Sequence, residues 1–154
     1  ILLFVFFFFL KKKEGKLNYT VAMTSAKIID DKGIVFAVNR AMASALKKVS
    51  PPPDDCLVKL DGSLKAPDMF IHQKTIIGGD GKEKVIGLAS IMAKVTRDRH
   101  MVRISAQPKY APYVFEIHKG YGTKKHRDAI IKFGLSDIHR KNFCQKLLIG
   151  QKMV

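Results

Sequence analysis

The first third of the chain changes from the two-residue period of a strand to the spacing of a helix. Residues 17–25 (LNYTVAMTS) alternate apolar and polar side chains and are rich in β-forming residues, which predicts a strand. Apolar residues then recur at mostly helical spacing over residues 28–48, which predicts a helix with Gly33 early in its course. The proline-rich stretch 50–55 (SPPPDD) ends that helix.

Two short apolar segments follow, and each carries an aspartate beside glycine. Residues 56–62 (CLVKLDG) predict a strand that ends in Asp61, and residues 74–84 (KTIIGGDGKEK) predict a second strand that ends in Asp80. Functional groups gather at the carboxyl ends of strands in open α/β sheets. The two aspartates are therefore candidates for one site.

Helical patterns dominate the remainder of the chain. Residues 85–104 predict a long helix whose first half is apolar almost all round, so that half is expected to be buried. Pro108 and Pro112 predict a loop. Short helices are expected near residues 124–133 and 139–148, with Gly134 as a C-cap between them. Strands that alternate with helices predict an α/β fold.

The N-terminal segment, residues 1–16, has an unusual composition. Its apolar run is shorter than the roughly 20 residues needed to span a bilayer, and its lysines follow that run, whereas a signal peptide places its charge first. An anchor at a membrane surface is one alternative. We interpret the segment as the edge of a fragment, expect no membrane association, and assign the folded domain to residues 17–149.

The charge of the chain changes this picture. The 154 residues include 28 Lys and Arg against 13 Asp and Glu, a formal net charge of +15. Such an excess favours a polyanionic partner, most often nucleic acid, although general solubility is an alternative. Cys56 and Cys144 form no metal or disulfide motif and predict free thiols in a reducing compartment, the cytoplasm. We expect a single-domain monomer.

The candidate chemistry is that of carboxylates and a basic face. If Asp61 and Asp80 meet, their charges repel unless they share a proton or hold a divalent cation such as Mg²⁺. The alternative is that both belong to ordinary aspartate–glycine turns. Lys94 and Arg97 lie three residues apart in the long helix and could contact phosphates or simply face solvent. No phosphate-binding loop, zinc pattern or Ser/His/Asp signature is present in the sequence.

Four segments in this order resemble bacterial ribonuclease HII: LVKLDG (57–62), ASIMAKVTRDRHM (89–101), HKGYGTKKH (118–126) and IHRKNF (138–143). The resemblance runs from about Tyr19 to Phe143. It implies a ribonuclease H-like α/β fold, with a central mixed sheet flanked by helices and further helices at the C-terminus. It also implies an endonuclease that cuts the RNA strand of RNA–DNA hybrids or nicks DNA at embedded ribonucleotides.

The resemblance assigns roles to particular residues. The family uses four acidic residues and two divalent ions, Mn²⁺ or Mg²⁺, and Asp61 and Asp80 match the third and fourth acids. Tyr121 matches a loop tyrosine that lies by the ribose and senses its 2′-hydroxyl, the group that distinguishes RNA from DNA. Gly120 and Gly122 leave its backbone unobstructed. The residues expected to contact phosphates are Lys94, Arg97, Lys119 and Lys124.

The sequence also departs from the family pattern. The usual first strand with Asp-Glu and the Gly-Arg-Gly loop are not present, and Glu14 matches nothing. Gly78 replaces a lysine and Asn142 a serine. We therefore expect an N-terminally truncated copy that binds its substrate and cuts it poorly. The rival readings are a non-catalytic nucleic-acid-binding module and a small basic ribosome- or membrane-associated protein.

Overall fold

The computed structural model of the protein describes residues 3–11 and 16–149. At the N-terminal end of this part, β1 (Leu3–Lys11) pairs with β2 (Lys16–Thr24) in an antiparallel sheet, with Leu3 opposite Thr24 and Lys11 opposite Lys16. Strand β2 was predicted, whereas β1 was not. Its phenylalanines and Val5 have high β-propensity, but a strand forms only where a partner supplies hydrogen bonds, and the apolar run alone does not reveal that partner.

The predicted helix over 28–48 is two helices, α1 (Ala26–Lys32) and α2 (Ile34–Val49). Gly33 divides them because its φ of 85° is a left-handed conformation that other residues rarely adopt. Ser25 caps α1 by accepting a hydrogen bond from the Ile28 N–H at 3.3 Å. Helix α2 packs against the β1–β2 sheet and buries one face, formed by Ala37, Ala41, Met42, Ala45 and Leu46.

The second sheet is parallel and pairs β3 (Val58–Asp61) with β4 (Gln73–Ile76), with Asp61 opposite Ile76. The prediction that the second strand ends in Asp80 is wrong. Strand β4 stops at Ile76, and Asp80 lies in a four-residue helix, α3 (Gly79–Lys82). Gly78 turns the chain out of the strand with a φ of 65°, and the glycines that surround Asp80 favour a turn over an extended backbone.

The long helix is confirmed as α4 (Lys84–Ser105), but the predicted burial of its first half is wrong. Ile86 is buried, whereas Val85, Leu88 and Ile91 are 39%, 40% and 60% exposed. The neighbouring elements cover one side of this half of the helix. The side chains of Val85, Leu88 and Ile91 therefore remain at the surface of the described structure.

The C-terminal part is helical. The predicted proline loop is a 3₁₀ helix (Pro108–Tyr113), followed by the short helix α5 (Phe115–His118). Helix α6 (Lys124–Phe133) has the predicted bounds, and the predicted C-cap, Gly134, has a φ of 77° and donates its N–H to the Ile130 carbonyl. Helix α7 (Lys141–Ile149) begins two residues later than predicted.

Two apolar clusters support the two parts of the molecule that carry candidate site residues. The first lies between α2 and β3 and contains Met42, Leu46, Cys56, Val58, Leu60, Ala66 and Phe70. The second lies between α4 and the C-terminal helices and contains Met101, Ile104, Tyr110, Tyr113 and Phe115. The predicted α/β class is confirmed. Among the described residues, one antiparallel and one parallel two-stranded sheet supply the two strand orientations of the mixed sheet that the resemblance implied.

Candidate functional site

Asp61 and Asp80 lie on either side of one buried glycine. Asp61 is the last residue of β3, and its Oδ1 accepts hydrogen bonds from the N–H groups of Gly62 at 2.7 Å and Gly79 at 2.8 Å. Asp80 directly follows Gly79, and its Oδ1 accepts from the Gly81 N–H at 3.0 Å. The structure therefore brings the two predicted acids to one turn. In the part of the chain it describes, the hydrogen bonds of both carboxylates involve Oδ1 and leave Oδ2 without a partner.

Glycines at two positions allow this close packing. A Cβ atom on Gly79 would lie 2.8 Å from Ile86 Cδ1 and 3.4 Å from Asp61 Oδ1. A Cβ atom on Gly87 would lie 2.6 Å from the carbonyl oxygen of Asp80. Since real Cβ atoms do not approach so closely, the first turn of α4 can rest on the Asp80 peptide only because residue 87 is glycine.

A half-buried ion pair lies beside the acids. Lys59 precedes Asp61 by two residues and shares its face of β3. Its Nζ lies 2.7 Å from Oε2 of Glu83, the residue before α4. Among the residues described, no group of three or more histidine, cysteine, aspartate or glutamate side chains could hold a metal ion. The carboxylate pair is thus not extended by Glu83, nor by Asp98, which pairs with Arg97 at 3.1 Å.

Tyr121 lies in the loop between α5 and α6 and is 47% exposed. The guanidinium carbon of Arg97 lies 4.1 Å from the centre of its ring, a cation–π contact. The Arg97 side chain is 16% exposed and also pairs with Asp98. Arg97 was predicted as a phosphate contact. In this structure it lies against one side of the tyrosine ring.

The predicted lysines do not form a single cluster. Lys94 is exposed on α4. Lys124 is exposed on α6, where its Nζ lies 2.8 Å from Asp128 Oδ2. Lys119 has a left-handed backbone with a φ of 50° and donates to the Glu116 carbonyl. It also lines an open groove of about 500 Å³ with Val95, Asp98, Arg99, Val102 and Arg103.

Two of these groove residues, Arg99 and Arg103, were not among the predicted contacts. They lie four residues apart on α4, so the helical spacing places them on the same face as Val95. This four-residue spacing is the sequence signal that could have identified the two arginines. The groove is therefore a basic surface on the same helix that carries Arg97.

Three buried histidines, to which no sequence motif assigned a role, surround the backbone of the Tyr121 loop. His118, His126 and His139 are 5%, 4% and 3% exposed. The rings of His118 and His126 stack with centres 4.4 Å apart, and Nε2 of His126 lies 3.0 Å from Nε2 of His139. Burial lowers the pKa of His126, and burial followed by the charge of His126 lowers the pKa of His139 to about 4. The imidazole of His139 is therefore neutral at pH 7.

Comparison with known proteins identifies the family. The family model for ribonuclease HII matches residues 10–146. Ribonuclease HII of Endomicrobium trichonymphae is 44% identical over 131 residues, which cover 85% of this chain and 60% of the relative. For Caldicellulosiruptor bescii ribonuclease HII the identity is 45% over 135 residues, which cover 88% of this chain and 63% of the relative. Ribonuclease HII of Clostridium beijerinckii is 46% identical over 136 residues, which cover 88% of this chain and 48% of the relative.

The matched region contains the whole site described above, from Asp61 to the buried histidines. The chain spans about half to two thirds of the length of these relatives. In the described residues no helix is long and apolar enough to cross a membrane. The mixed α/β structure and the family match agree with the ribonuclease H-like fold that the sequence motifs implied. This chain belongs to the ribonuclease HII family.

Proposed function

We propose that the protein is a ribonuclease H-type endonuclease that hydrolyses the RNA strand of RNA–DNA hybrids or nicks DNA at embedded ribonucleotides. The observation that carries this proposal is that the two acids meet at one glycine: Asp61, at the end of β3, accepts the Gly79 N–H, and Asp80 is the next residue. Membership of the family supports the reaction type. A cytoplasmic location and a monomeric state remain predictions from the sequence.

The donor set fits one divalent cation. Mg²⁺ usually takes one or two carboxylates and keeps water and substrate phosphate oxygens in its remaining positions, and Mn²⁺ accepts the same oxygen ligands. Asp61 and Asp80 would hold the cation through the oxygens that make no hydrogen bond in the described structure. When bound, such an ion activates water and neutralises charge on the phosphate. The two-ion reaction implied by the family would require further ligands beyond this pair.

The nucleic acid would bind along α4 and the Tyr121 loop. The exposed face of Tyr121, opposite Arg97, is available to a ribose, and the groove lined by Arg99, Arg103 and Lys119 is basic. Lys94 and Lys124 are exposed and could reach phosphates. Phosphate contacts position a duplex without reading its sequence, whereas contact with the 2′-hydroxyl identifies a ribonucleotide.

The binding test compares a labelled duplex that carries one ribonucleotide with the same duplex made of DNA alone. We expect the wild-type chain to prefer the former, and we expect Tyr121→Ala to lose most of this preference. A ring that contacts a base or sugar contributes on the order of 1–3 kcal/mol, so the loss should be about fivefold or more. The proposed recognition is refuted by equal preference in the wild type and in Tyr121→Ala.

The cleavage test uses the same duplex under single-turnover conditions with Mg²⁺, Mn²⁺ or EDTA. Asp61→Asn is the blank because an amide oxygen can still accept from the N–H groups of Gly62 and Gly79 while the charge is lost. We expect metal-dependent cleavage above this blank, at a low rate because two carboxylates are half of the family's four acids.

A second candidate function is a nucleic-acid-binding module without catalysis. The observation that favours it is that no third metal-binding side chain joins Asp61 and Asp80 within the described residues. This function predicts the same preference for the ribonucleotide duplex, with cleavage equal to that of Asp61→Asn. The two tests together therefore separate the candidates.

A further inference from the structure

The hydrogen atoms on two buried histidines can be assigned from their partners. Nδ1 of His139 accepts the backbone N–H of Ser136 at 2.9 Å and lies 2.7 Å from the Ser136 hydroxyl oxygen, which can donate to it as well. A backbone N–H can only donate, so this nitrogen carries no hydrogen, and a neutral His139 carries its hydrogen on Nε2. That nitrogen lies 3.0 Å from Nε2 of His126. His139 therefore donates to His126.

The hydrogen bond at Nδ1 of His126 independently indicates the same direction of donation. Its Nδ1 lies 2.9 Å from the carbonyl oxygen of Tyr121. A carbonyl can only accept, so Nδ1 of His126 carries the hydrogen and Nε2 is the acceptor that the His139 contact requires. Hydrogen bonds thus run in one direction from the Ser136 amide through His139 and His126 to the Tyr121 carbonyl. We call these three residues (Ser136, His139 and His126) the histidine relay.

The third histidine holds the preceding peptide of the same loop. His118 Nδ1 accepts the Gly120 N–H at 3.1 Å, so its Nε2 carries the hydrogen and donates to the Tyr113 carbonyl at 2.7 Å. The Tyr121 N–H donates to the His118 carbonyl at 2.8 Å. Because His118 stacks on His126, the backbone on both sides of the Tyr121 ring is fixed by one buried imidazole stack.

We propose that His126 is a positioning residue for Tyr121: through the histidine relay it fixes the Tyr121 peptide and thereby keeps the ring over Arg97 with one face open to substrate. This inference rests on the proposed function only in assigning ribose recognition to Tyr121. His126 is 4% exposed and touches the loop through the carbonyl, so its effect on a ligand passes through the tyrosine.

The test uses two substitutions of His126 that divide its two hydrogen bonds. In His126→Asn the side-chain amide lies where Nδ1 was and can still donate to the Tyr121 carbonyl, but it does not reach His139. In His126→Gln the longer side chain places its amide near the position of Nε2, so it meets His139 and loses the Tyr121 carbonyl. Both variants remove the imidazole stack, so each is the control for the other.

Two readouts are measured on the full chain. The first is the preference for the single-ribonucleotide duplex over its DNA twin. The second is the ¹⁹F signal of Tyr121 in 3-fluorotyrosine-labelled protein, assigned by its absence from Tyr121→Phe. We expect His126→Asn to keep both near wild type. In His126→Gln the ¹⁹F signal should shift and the preference should fall about 2- to 10-fold, the range of one lost hydrogen bond.

The positioning role is overturned if the two variants change the Tyr121 signal equally or leave it unchanged, as a purely structural histidine would. If wild-type protein shows no ribonucleotide preference, the proposed function fails, and the ¹⁹F comparison still decides the positioning role. If the His126 variants do not fold, the pair His139→Gln and His139→Asn tests the preceding step. His139→Gln keeps a donor towards Nε2 of His126 and so keeps the His126 hydrogen on Nδ1. His139→Asn removes that donor, so the imidazole of His126, unlike the amide in His126→Asn, can carry its hydrogen on Nε2 and lose the Tyr121 carbonyl. Only His139→Asn should therefore shift the Tyr121 signal.

Discussion

Acid should destabilise the protein in a defined pH range because His139 is buried in its neutral form. Burial, and secondarily the charge of His126, lowers the pKa of His139 from 6.5 to about 4. The unfolded chain therefore binds a proton that the folded protein excludes, and stability falls as the pH drops from 6.5 to about 4. The full effect is about 3 kcal/mol, since a tenfold change in proton affinity corresponds to about 1.4 kcal/mol. At pH 5 the expected loss is about 2 kcal/mol.

The assay is urea unfolding of wild type and His139→Gln at pH 7.5 and pH 5.0 at constant ionic strength. Glutamine does not titrate, yet it can still donate to His126. The titratable groups close to His139 in the described structure include His126, Asp137 and Tyr113, and they are present in both proteins. The difference in unfolding free energy between the two pH values should therefore be about 2 kcal/mol smaller in the variant. Equal pH dependence in both proteins would refute the buried neutral assignment.

Two further substitutions test the packing around the site and the last helix. Gly87→Ala should weaken Mn²⁺ binding and cost about 1–3 kcal/mol of stability, because its Cβ would meet the Asp80 carbonyl oxygen at 2.6 Å. Gly81→Ala is the control, because an added Cβ there meets nothing within 4 Å. Mn²⁺ binding is measured by calorimetric titration and stability by urea unfolding, and equal effects of the two substitutions would contradict the role of Gly87. Asp30→Ala should cost about 0.5–2 kcal/mol in urea unfolding, because its carboxylate caps α7 by accepting the N–H groups of Lys141 and Asn142. Asp31→Ala, which loses only an exposed pair within α1, should cost less, and a cost as large as that of Asp30→Ala would refute the cap.

The elements with local start and stop signals could be predicted from the sequence. Helix α6 has its predicted bounds because Gly134 ends it through a hydrogen bond to Ile130, a contact within the same short segment. The start of α7 could not be predicted in the same way. Its cap is Asp30, which lies more than a hundred residues earlier in the chain.

The candidate site also has a part that could be predicted from the sequence and a part that could not. The residue types Asp61, Asp80 and Tyr121 were visible in motifs, but their surroundings depend on tertiary structure. Strand period did not predict that β4 ends before Asp80, since that end is set by the positive φ of Gly78. Helical spacing placed Arg97 beside Lys94, whereas the tertiary fold places it against the Tyr121 ring.

The histidine relay shows most clearly what one sequence cannot reveal. His126 lies in α6, and the rest of that helix and a loop separate it from His139. Neither histidine has a neighbour in sequence that suggests a ligand or a base. Their function follows from which atoms donate and which accept, and this is fixed by the backbone groups of Ser136 and Tyr121. Hydrogen-bond direction depends on geometry that residue identity does not contain.

Helix α4 joins the two halves of the site. Its first turn rests on the Asp80 peptide through Gly87, and Arg97 supports Tyr121 from the same helix ten residues later, about 15 Å along the axis. Each half is held by its own contacts: the carboxylates by the amides of Gly62, Gly79 and Gly81, and the tyrosine by the buried histidines. Removing the charge of Asp61 should therefore abolish metal-dependent chemistry and leave ribonucleotide preference intact. Loss of the His126–Tyr121 hydrogen bond should lower the ribonucleotide preference and leave the metal-dependent chemistry intact. The two effects separate because the helix that links the two halves does not depend on either contact.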